Sequence, residues 1–243
     1  VEVTAIADPD PRSREFAGAL APNALHYTNH EALITDNVCD AVVVASPNFT
    51  HVNVLRDLLA TDLHVLVEKP LCTTVDDCYT ILELAEGRNA ITWVGLEYRY
   101  MPPIARLIDE VAAGAGGVPK MISIREHRFP FLEKIGDWNR FSENTGGTLV
   151  EKCCHFFDLM VQIMPGRPVR VMASGAQDVN HLDEVYDGRV PDILDNAFVI
   201  VDFDDGARGL LDLCMFAEAT HNQEELSVVG PLGKVEALIP EDV

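Results

Sequence analysis

Basic residues are scarce in this chain of 243 residues, where 18 lysines and arginines stand against 39 aspartates and glutamates and the formal charge is −21. Proteins that bind the phosphate backbone of nucleic acids or the surface of anionic membranes need a basic surface, so this balance argues against both classes of partner. The sequence also has no apolar run approaching the roughly 18–20 residues that span a bilayer and no basic leader ahead of an apolar segment. These absences predict a soluble protein in the cytoplasm.

Cysteine patterns that bind metals are absent as well. The six cysteines include no Cys-x2-Cys pair, and the adjacent Cys153 and Cys154 would point about 100° apart on a helix, which makes them poor joint ligands for one ion. A disulfide framework is not expected in a chain of this length without a secretion signal. We therefore predict buried, reduced thiols and no metal site.

The first 95 residues alternate short apolar runs with segments of helical periodicity. The predicted strands are residues 3–7, 41–45, 64–67 and 91–95, and the predicted helices are residues 11–20, 31–36, 50–61 and 74–86. This alternation is typical of strand–helix–strand units in a parallel sheet, and continuous apolar strands fit a sheet that helices cover on both faces. Residues 1–95 are therefore predicted to form a doubly wound α/β domain.

The remaining residues, 96–243, change to a pattern of longer strands joined by tight turns. Predicted helices cover residues 103–113 and 149–164, and predicted strands cover residues 120–131, 169–177, 197–203, 207–216, 226–229 and 234–238. The Asp204-Asp205-Gly206 triplet is a hairpin signal, and successive strands joined in this way form antiparallel sheets. The prediction is an α+β domain with a largely antiparallel open sheet.

Three groups of polar residues follow predicted strands of the first domain, at the edge where open α/β sheets bind ligands. Asp8 follows the first strand, residues 46–51 follow the second, and Glu68 and Lys69 follow the third. A carboxylate in the place of Asp8 can accept hydrogen bonds from the ribose hydroxyls of a dinucleotide, or it can cap a helix or form an Asp-Pro turn. Residues 46–51 either bind a ligand at this edge or form a turn and a helix cap with an incidental histidine. Lys69 is costly to bury without a partner, so it either reaches a cleft or pairs with Glu68 at the surface. The residues alone leave these alternatives open.

A run of polar residues interrupts the apolar segment between Gly146 and Asp158. Glu151 and His155 are four residues apart and lie on one face of the predicted helix, and Asp158 continues that stripe. Because the rest of the helix is apolar almost all round, the stripe must face a cavity or a set of polar partners. Two structural alternatives remain: Thr148 and Glu151 fit a capping box, and His155 fits a histidine satisfied within the core.

Taken in order, these motifs resemble the Gfo/Idh/MocA family of nicotinamide-dependent sugar and polyol dehydrogenases over essentially the whole chain. The resemblance rests on Ala7-Asp8, on residues 46–51 (Ser-Pro-Asn-Phe-Thr-His), on Glu68-Lys69-Pro70, on Gly95 with Arg99, and on Gly146-Gly147 followed by Glu151, His155 and Asp158. It implies an N-terminal Rossmann domain and a C-terminal domain whose open sheet forms one wall of the substrate cleft and an oligomer interface.

The resemblance also implies roles for individual residues. Lys69 corresponds to the family's catalytic lysine, which orients the reacting hydroxyl, and His155 corresponds to the general base that takes its proton while hydride moves to nicotinamide C4. An imidazole suits that task at neutral pH. Glu151, the third member of this catalytic set, stands where the commonest family pattern has aspartate and would bind a substrate hydroxyl or position Lys69 or His155. Tyr98 and Trp138 stand where relatives contact substrate.

The cofactor that the resemblance implies is NAD. The residues it assigns to cofactor binding are Asp8, Ser46, Pro47, Asn48, His51, Glu68 and Lys69. Asp8 favours NAD because a carboxylate repels the 2′-phosphate of NADP, whereas the nearby Arg12 and Arg14 leave NADP as an alternative.

The family's first strand and its Gly-x-Gly-x-x-Gly turn, whose amides receive the pyrophosphate at a helix N-terminus, have no counterpart in the 243 residues. The sequence begins at what corresponds to the family's second strand, so we expect an N-terminally truncated Rossmann domain, and a short C-terminus as well. In the strand order 3-2-1-4-5-6 the second and fourth strands would then lack their shared neighbour. We expect this chain alone to bind nicotinamide cofactor poorly and to aggregate.

The leading functional hypothesis is an NAD(P)-dependent dehydrogenase that acts on a secondary hydroxyl of a polyol or sugar, with an inositol-like ring as the substrate. Two alternatives stay open: a redox-neutral NAD-dependent glycosidase on the same scaffold, and a non-catalytic ligand sensor. The retention of Lys69, Glu151 and His155 together argues against the sensor. The expected partners are the small-molecule substrate and further copies of the chain, bound through the C-terminal sheet, with no nucleic acid and no membrane.

Overall fold

The computed structural model describes residues 1–240, which divide into two compact units between Gly95 and Leu96. The elements of the first unit are β1 (Ala5–Ala7), α1 (Pro11–Leu20), β2 (Leu25–Tyr27), α2 (His30–Asp36), β3 (Ala41–Val44), α3 (His51–Leu59), β4 (His64–Val67), α4 (Val75–Ala85) and β5 (Thr92–Val94). β1 pairs in parallel with β2, and β3, β4 and β5 form a second parallel sheet with β4 in the middle. The predicted parallel α/β arrangement of this half is confirmed.

β2 is the one element of the first unit that the sequence pattern does not predict. It has three residues, Leu-His-Tyr, and none of them is buried. Without an apolar run there is no periodicity to detect, although its pairing with β1 gives it a defined place in the sheet.

Among the described residues, helices α3 and α4 cover one face of the sheet formed by β3, β4 and β5. Leu55 and Leu58 of α3 and Ile81 of α4 pack with Val65 and Val67 of β4. On the opposite face, one cross-strand row is 40–65% exposed and consists of Val43, Leu66 and Trp93. The expectation of helices on both faces is therefore wrong for the described residues, because an apolar run does not itself show what covers each side of a strand.

The second unit begins at Leu96 and contains one large sheet. Its elements are α5 (Pro102–Ala112), β6 (Met121–His127), α6 (Ser142–Thr145), α7 (Thr148–Glu151), α8 (Cys154–Ile163), β7 (Pro168–Ala176), β8 (Asn196–Phe203), β9 (Arg208–Cys214), β10 (Glu224–Gly230) and β11 (Gly233–Ile239). The strand order is β11-β10-β6-β9-β8-β7, and only the β6–β9 pair is parallel. The predicted α+β domain with a largely antiparallel sheet is confirmed.

Helices α5 and α8 belong to the apolar core of the second unit. Ile104 and Leu107 of α5 and Phe156 and Leu159 of α8 are at most 2% exposed and pack with buried residues of the strands. Burying an aliphatic or aromatic side chain of this size contributes about 1.5–3 kcal/mol. This packing fixes α8, and with it the polar residues at the start of that helix.

The single helix predicted for residues 149–164 is wrong. The segment forms two helices, α7 and α8, with Lys152 and Cys153 between them. The amide of Lys152 still donates to the carbonyl of Thr148 at 2.9 Å, whereas the amides of Phe156 and Phe157 both donate to the carbonyl of Cys153 at 3.0 Å. The hydrogen-bond ladder therefore restarts at Cys153, which apolar periodicity alone does not show.

The capping box, which is the structural alternative for Thr148 and Glu151, does not form. Thr148 lies inside α7, and its hydroxyl donates to the carbonyl of Leu194 at 2.5 Å. The residue before the helix is Gly147, whose φ of +85° lies in the region that glycine adopts without strain. Glu151 is therefore not required as a cap.

All six cysteines are free thiols. Cys72 and Cys153 are buried, as predicted. The remaining four are partly exposed, so the prediction of burial is wrong for Cys39, Cys78, Cys154 and Cys214.

Candidate active site

Two loops at the carboxyl ends of β3 and β4 carry most of the residues predicted to bind the cofactor. Ser46, Pro47 and Asn48 lie on the first loop, and Glu68 and Lys69 lie on the second. Asn48 is buried, Ser46, Pro47 and Lys69 are half-buried, and Glu68 is exposed. Because β3 and β4 are parallel neighbours, both loops leave the sheet at the same edge, which is the ligand-binding edge of such sheets.

His51 joins these two loops. It is fully buried, and its Nδ1 lies 2.9 Å from the carbonyl oxygen of Pro70 while its Nε2 lies 2.9 Å from that of Ser46. Both ring nitrogens therefore contact backbone of the predicted cofactor loops. His51 therefore holds the two loops together, and its predicted part in cofactor binding stays a prediction.

Asp8 directly follows β1 and lies in a turn that its own side chain stabilises. The amide of Asp10 donates to Asp8 Oδ1 at 2.7 Å. The cap of α1 is Asp10, which accepts from the amide of Arg12 at 2.8 Å and pairs with its guanidinium at 2.7 Å. These bonds to Arg12 lower the pKa of Asp10 to about 2. The alternative of Asp8 as the helix cap is therefore wrong, and Arg12 already has a carboxylate partner.

In the second unit, Glu151 and His155 are both buried, at 6% and 2% exposure. The imidazole of His155 stacks on the ring of Tyr98, with the ring centroids 4.1 Å apart and the planes 11° from parallel. His155 Nε2 lies 3.4 Å from Oε1 of the exposed Glu97. The predicted base is therefore held between an aromatic face and a carboxylate.

Asp158, the last residue of the predicted polar stripe, pairs with Arg99. The guanidinium meets the carboxylate through two bonds, one of them from Nε to Oδ2 at 2.5 Å. Such bidentate pairs are the stronger class of charge-assisted hydrogen bond. Arg99 follows Tyr98 in the 3₁₀ turn Glu97–Tyr100, so this pair holds the turn against α8 and supports the stack on His155.

A buried group of charged side chains, which the spacing of the sequence does not predict, surrounds the hydroxyl of Tyr98. Lys152 Nζ lies 2.9 Å from Glu126 Oε1 and donates to the Tyr98 hydroxyl at 2.5 Å. That hydroxyl donates in turn to Glu224 Oε1 at 2.7 Å. Glu126 and Glu224 are register partners on β6 and β10. The sequence signal that could have found this group is a lysine in the middle of an apolar helical segment.

Burial dominates the ionisation of this group. It raises the pKa of Glu126 to about 7, although the ammonium of Lys152 opposes the shift. It also lowers the pKa of Lys152, against the attraction of Glu126. Burial, with Glu224 and Glu126 nearby, raises the pKa of Tyr98, so the phenol keeps its proton at neutral pH and does not act as a base.

Trp138 lies in the 3₁₀ segment Ile135–Arg140 and is half-buried. The two residues that follow it make hydrogen bonds within the protein. Asn139 Nδ2 donates to the carbonyl of Leu132 at 2.9 Å, and Arg140 Nε donates to Glu184 at 3.0 Å. The predicted contact of Trp138 with substrate stays a prediction.

Other clusters among residues 1–240 have simpler explanations. His30, Glu31 and Asp57 bring three candidate ligand atoms within 4.8 Å of one another. However, His30 Nε2 already lies 2.8 Å from Asp57 in an ion pair near the surface.

Among residues 1–240, no helix combines the length and the apolar character needed to cross a membrane.

Models of one protein family match nearly the whole chain. A model described as an oxidoreductase family with an NAD-binding Rossmann fold, GFO_IDH_MocA, matches residues 1–96. The model of that family's C-terminal alpha/beta domain matches residues 109–242. The boundary between the two matches falls close to the boundary between the two units of the structure.

Individual relatives show the same likeness. The chain is 30% identical over 226 residues to the myo-inositol 2-dehydrogenase of Thermotoga maritima and 27% identical over 214 residues to the rhizopine catabolism protein MocA of Rhizobium meliloti. The alignments cover 93% and 88% of this chain but 64% and 63% of those proteins, so the chain spans less than two thirds of their length.

A solved structure is similar over almost every residue. The crystal structure of a probable dehydrogenase from Thermotoga maritima matches with a TM-score of 0.84 at 25% sequence identity. The match covers 99% of this chain and 70% of that one.

Proposed function

Because the chain belongs to the Gfo/Idh/MocA oxidoreductase family, whose N-terminal domain is an NAD-binding Rossmann fold, we propose that it serves as an NAD-dependent dehydrogenase. The reaction transfers hydride between a secondary hydroxyl of a polyol or sugar and nicotinamide. An inositol-like ring is the substrate class, which the 30% identity to a protein named myo-inositol 2-dehydrogenase supports. The cytoplasm is the expected compartment, in keeping with six free thiols.

The observation that carries the proposal is the setting of His155. Its imidazole is 2% exposed, stacks on Tyr98 and presents Nε2 to the carboxylate of Glu97 at 3.4 Å. A neutral imidazole fixed in this way is suited to take a proton near pH 7. The carboxylate of Glu97 stabilises the imidazolium that results.

The residues present in the first unit fit NAD. Asp8 directly follows β1, at the position where a Rossmann fold binds the adenosine ribose, and the amide of Asp10 holds its carboxylate through Oδ1. The loops after β3 and β4 leave the sheet at the same edge. Lys69 and the residues Ser46, Pro47 and Asn48 would hold the cofactor there, with His51 keeping the two loops together.

Three side chains have roles in the proposed reaction. Bound NAD supplies the hydride acceptor, and the alcohol becomes a ketone as its carbinol C–H bond breaks. Lys69 orients the reacting hydroxyl and stabilises its alkoxide character. His155 takes the hydroxyl proton, and Glu151 binds a neighbouring hydroxyl of the ring.

Cofactor choice is expected to depend on Asp8. Replacing it with serine removes the carboxylate that binds the ribose hydroxyls and repels a 2′-phosphate. Charge-assisted bonds of this kind contribute about 1.5–3 kcal/mol, so Asp8→Ser should lower the ratio of kcat/KM for NAD to that for NADP by about 10- to 100-fold. The matched control is Asp10→Ser, which removes the neighbouring carboxylate that caps α1. An equal change in that control would show that the effect is one of turn stability.

Oligomers are expected to form through the exposed face of the six-stranded sheet. Met172, Ile200 and Leu210 form one cross-strand row on β7, β8 and β9 and are 36–44% exposed, and Phe198 beside them is 60% exposed. Apolar side chains gathered on one face mark interaction surfaces. Ile200→Glu is expected to give monomers in light scattering, whereas Leu20→Glu in α1 is expected to leave the mass unchanged. An unaltered mass in Ile200→Glu would exclude this face.

The proposed activity is tested by following NADH formation with myo-inositol and a panel of polyols and sugars. Net reduction of NAD by at least one cyclic polyol supports the proposal. Cofactor that stays bound through purification, with substrate consumed and no net change in NADH, would favour the redox-neutral glycosidase instead. Specific ligand binding without turnover, in protein shown to have NAD bound, would favour the sensor.

A further inference from the structure

The hydroxyl of Tyr98 makes two hydrogen bonds of opposite sense. It accepts from Lys152 Nζ at 2.5 Å and donates to Glu224 Oε1 at 2.7 Å. Lys152 is 5% exposed and Glu224 is 2% exposed, so neither partner exchanges readily with water. The oxygen of Tyr98 is therefore held by hydrogen bonds to two buried side chains from different parts of the chain.

The ring of Tyr98 is confined as well. One face stacks on His155 at a centroid distance of 4.1 Å, and the ring meets Phe156 edge-on at 5.7 Å, with an angle of 70° between the planes. The face of a phenol ring carries negative potential and attracts cations. The stack therefore sets the orientation of the imidazole and stabilises the imidazolium that His155 becomes when it takes a proton.

Burying the charged side chains around this hydroxyl costs desolvation free energy. Glu126 and Glu224 are directly opposite each other on β6 and β10 and are both nearly inaccessible to water. Lys152 Nζ lies within 4.0 Å of both carboxylates, and Arg128 Nη1 lies 3.2 Å from Glu126. Apolar residues of the same volume would often be at least as stable. Packing alone therefore does not account for the arrangement, whereas a demand for a fixed phenol does.

We infer that Lys152, Tyr98 and Glu224 form a clamp that positions the imidazole of His155 for proton transfer, and that none of the three contacts the substrate. This inference rests on the function proposed above, because it assigns His155 the proton that leaves the hydroxyl. Tyr98 is then a positioning residue, which differs from the substrate contact that the family resemblance implies.

Tyr98→Phe is the direct test, because it keeps the ring and removes only the hydroxyl that the clamp holds. In the protein without substrate, the His155 Cε1 proton should resonate at an altered NMR shift and titrate at an altered pH midpoint, since the stacked ring no longer has one orientation. In turnover, kcat should fall by about 10- to 100-fold, as misplaced catalytic groups do, with KM changed less than about twofold. His155→Asn identifies the resonance by its loss.

Two matched variants make the test specific. Tyr100→Phe removes a hydroxyl from the same 3₁₀ turn at an exposed position, and it should alter neither the His155 resonance nor kcat. Glu224→Gln keeps an oxygen that accepts from Tyr98 and should retain most of the stack.

The outcomes separate this inference from the proposed function. If Tyr98→Phe alters the His155 resonance but no polyol supports the reduction of NAD by the unaltered protein, the clamp is supported and the dehydrogenase is contradicted. An unaltered resonance and pH midpoint in Tyr98→Phe would overturn the clamp. A fall in activity with a rise in KM and an unaltered resonance would overturn it too and would restore Tyr98 as a substrate contact.

Discussion

Replacing His155 with asparagine is expected to lower kcat for NAD-dependent polyol oxidation by about 10²–10⁴-fold, the usual contribution of a positioned general base. Asparagine is of similar size and polar, so it fits a site that is 2% exposed without leaving a large cavity. It cannot take a proton at neutral pH. The fold should therefore persist while the proton of the reacting hydroxyl has no acceptor.

Lys69→Ala is expected to cause a loss of comparable size through a different step, since the alkoxide then lacks its cationic partner. The control for both variants is His127→Asn on β6, whose imidazole pairs with Asp212 at 3.1 Å and which the mechanism does not use. Activity retained in both His155→Asn and Lys69→Ala would rule out the proposed mechanism. Activity lost equally in His127→Asn would point to general destabilisation.

Replacing Lys152 with methionine is expected to lower the free energy of unfolding by about 3–5 kcal/mol, the usual cost of removing one partner from a buried ion pair. Lys152 Nζ lies 2.9 Å from Glu126 and 4.0 Å from Glu224. Without the ammonium, Glu126 keeps its contact with Arg128 Nη1 at 3.2 Å, but the two buried carboxylates on neighbouring strands lose the cation that lies between them. Urea unfolding followed by circular dichroism measures the loss.

The pH dependence of that loss provides an internal check. Burial raises the pKa of Glu126 from 4.5 to about 7, so its contribution to stability is complete below pH 4.5 and is lost as the pH rises through about 7. In Lys152→Met no ammonium offsets the ionised form, so the deficit should be larger at pH 8 than at pH 5. Adding Glu126→Gln should recover part of it. A deficit that is equal at both pH values would mean that lost packing, and not charge, is its cause.

Much of the fold follows from local pattern. The predicted bounds of α1 and β4 are those of the structure, because a helical stripe and a run of three apolar residues after His64 are both visible in the sequence. The break between α7 and α8 is not predictable in this way, since Lys152 and Cys153 interrupt the backbone ladder without interrupting the apolar pattern.

In the candidate site as well, the sequence indicates some features and not others. The four-residue spacing of Glu151 and His155 marks both as buried polar residues, which the structure bears out. The partners of Lys152 are beyond sequence reasoning, because Glu126 and Glu224 come together only through the register of β6 and β10. Spacing along one helix carries no information about that register.

The most direct test of the proposed reaction is to follow the hydrogen itself. The protein is incubated with NAD and with myo-inositol carrying deuterium on its ring carbons, and the reduced nucleotide is analysed by mass spectrometry and NMR. Deuterium at C4 of the nicotinamide is the result that direct hydride transfer predicts. Substrate oxidised or cleaved with deuterium released to water, and none in the nicotinamide, would contradict it.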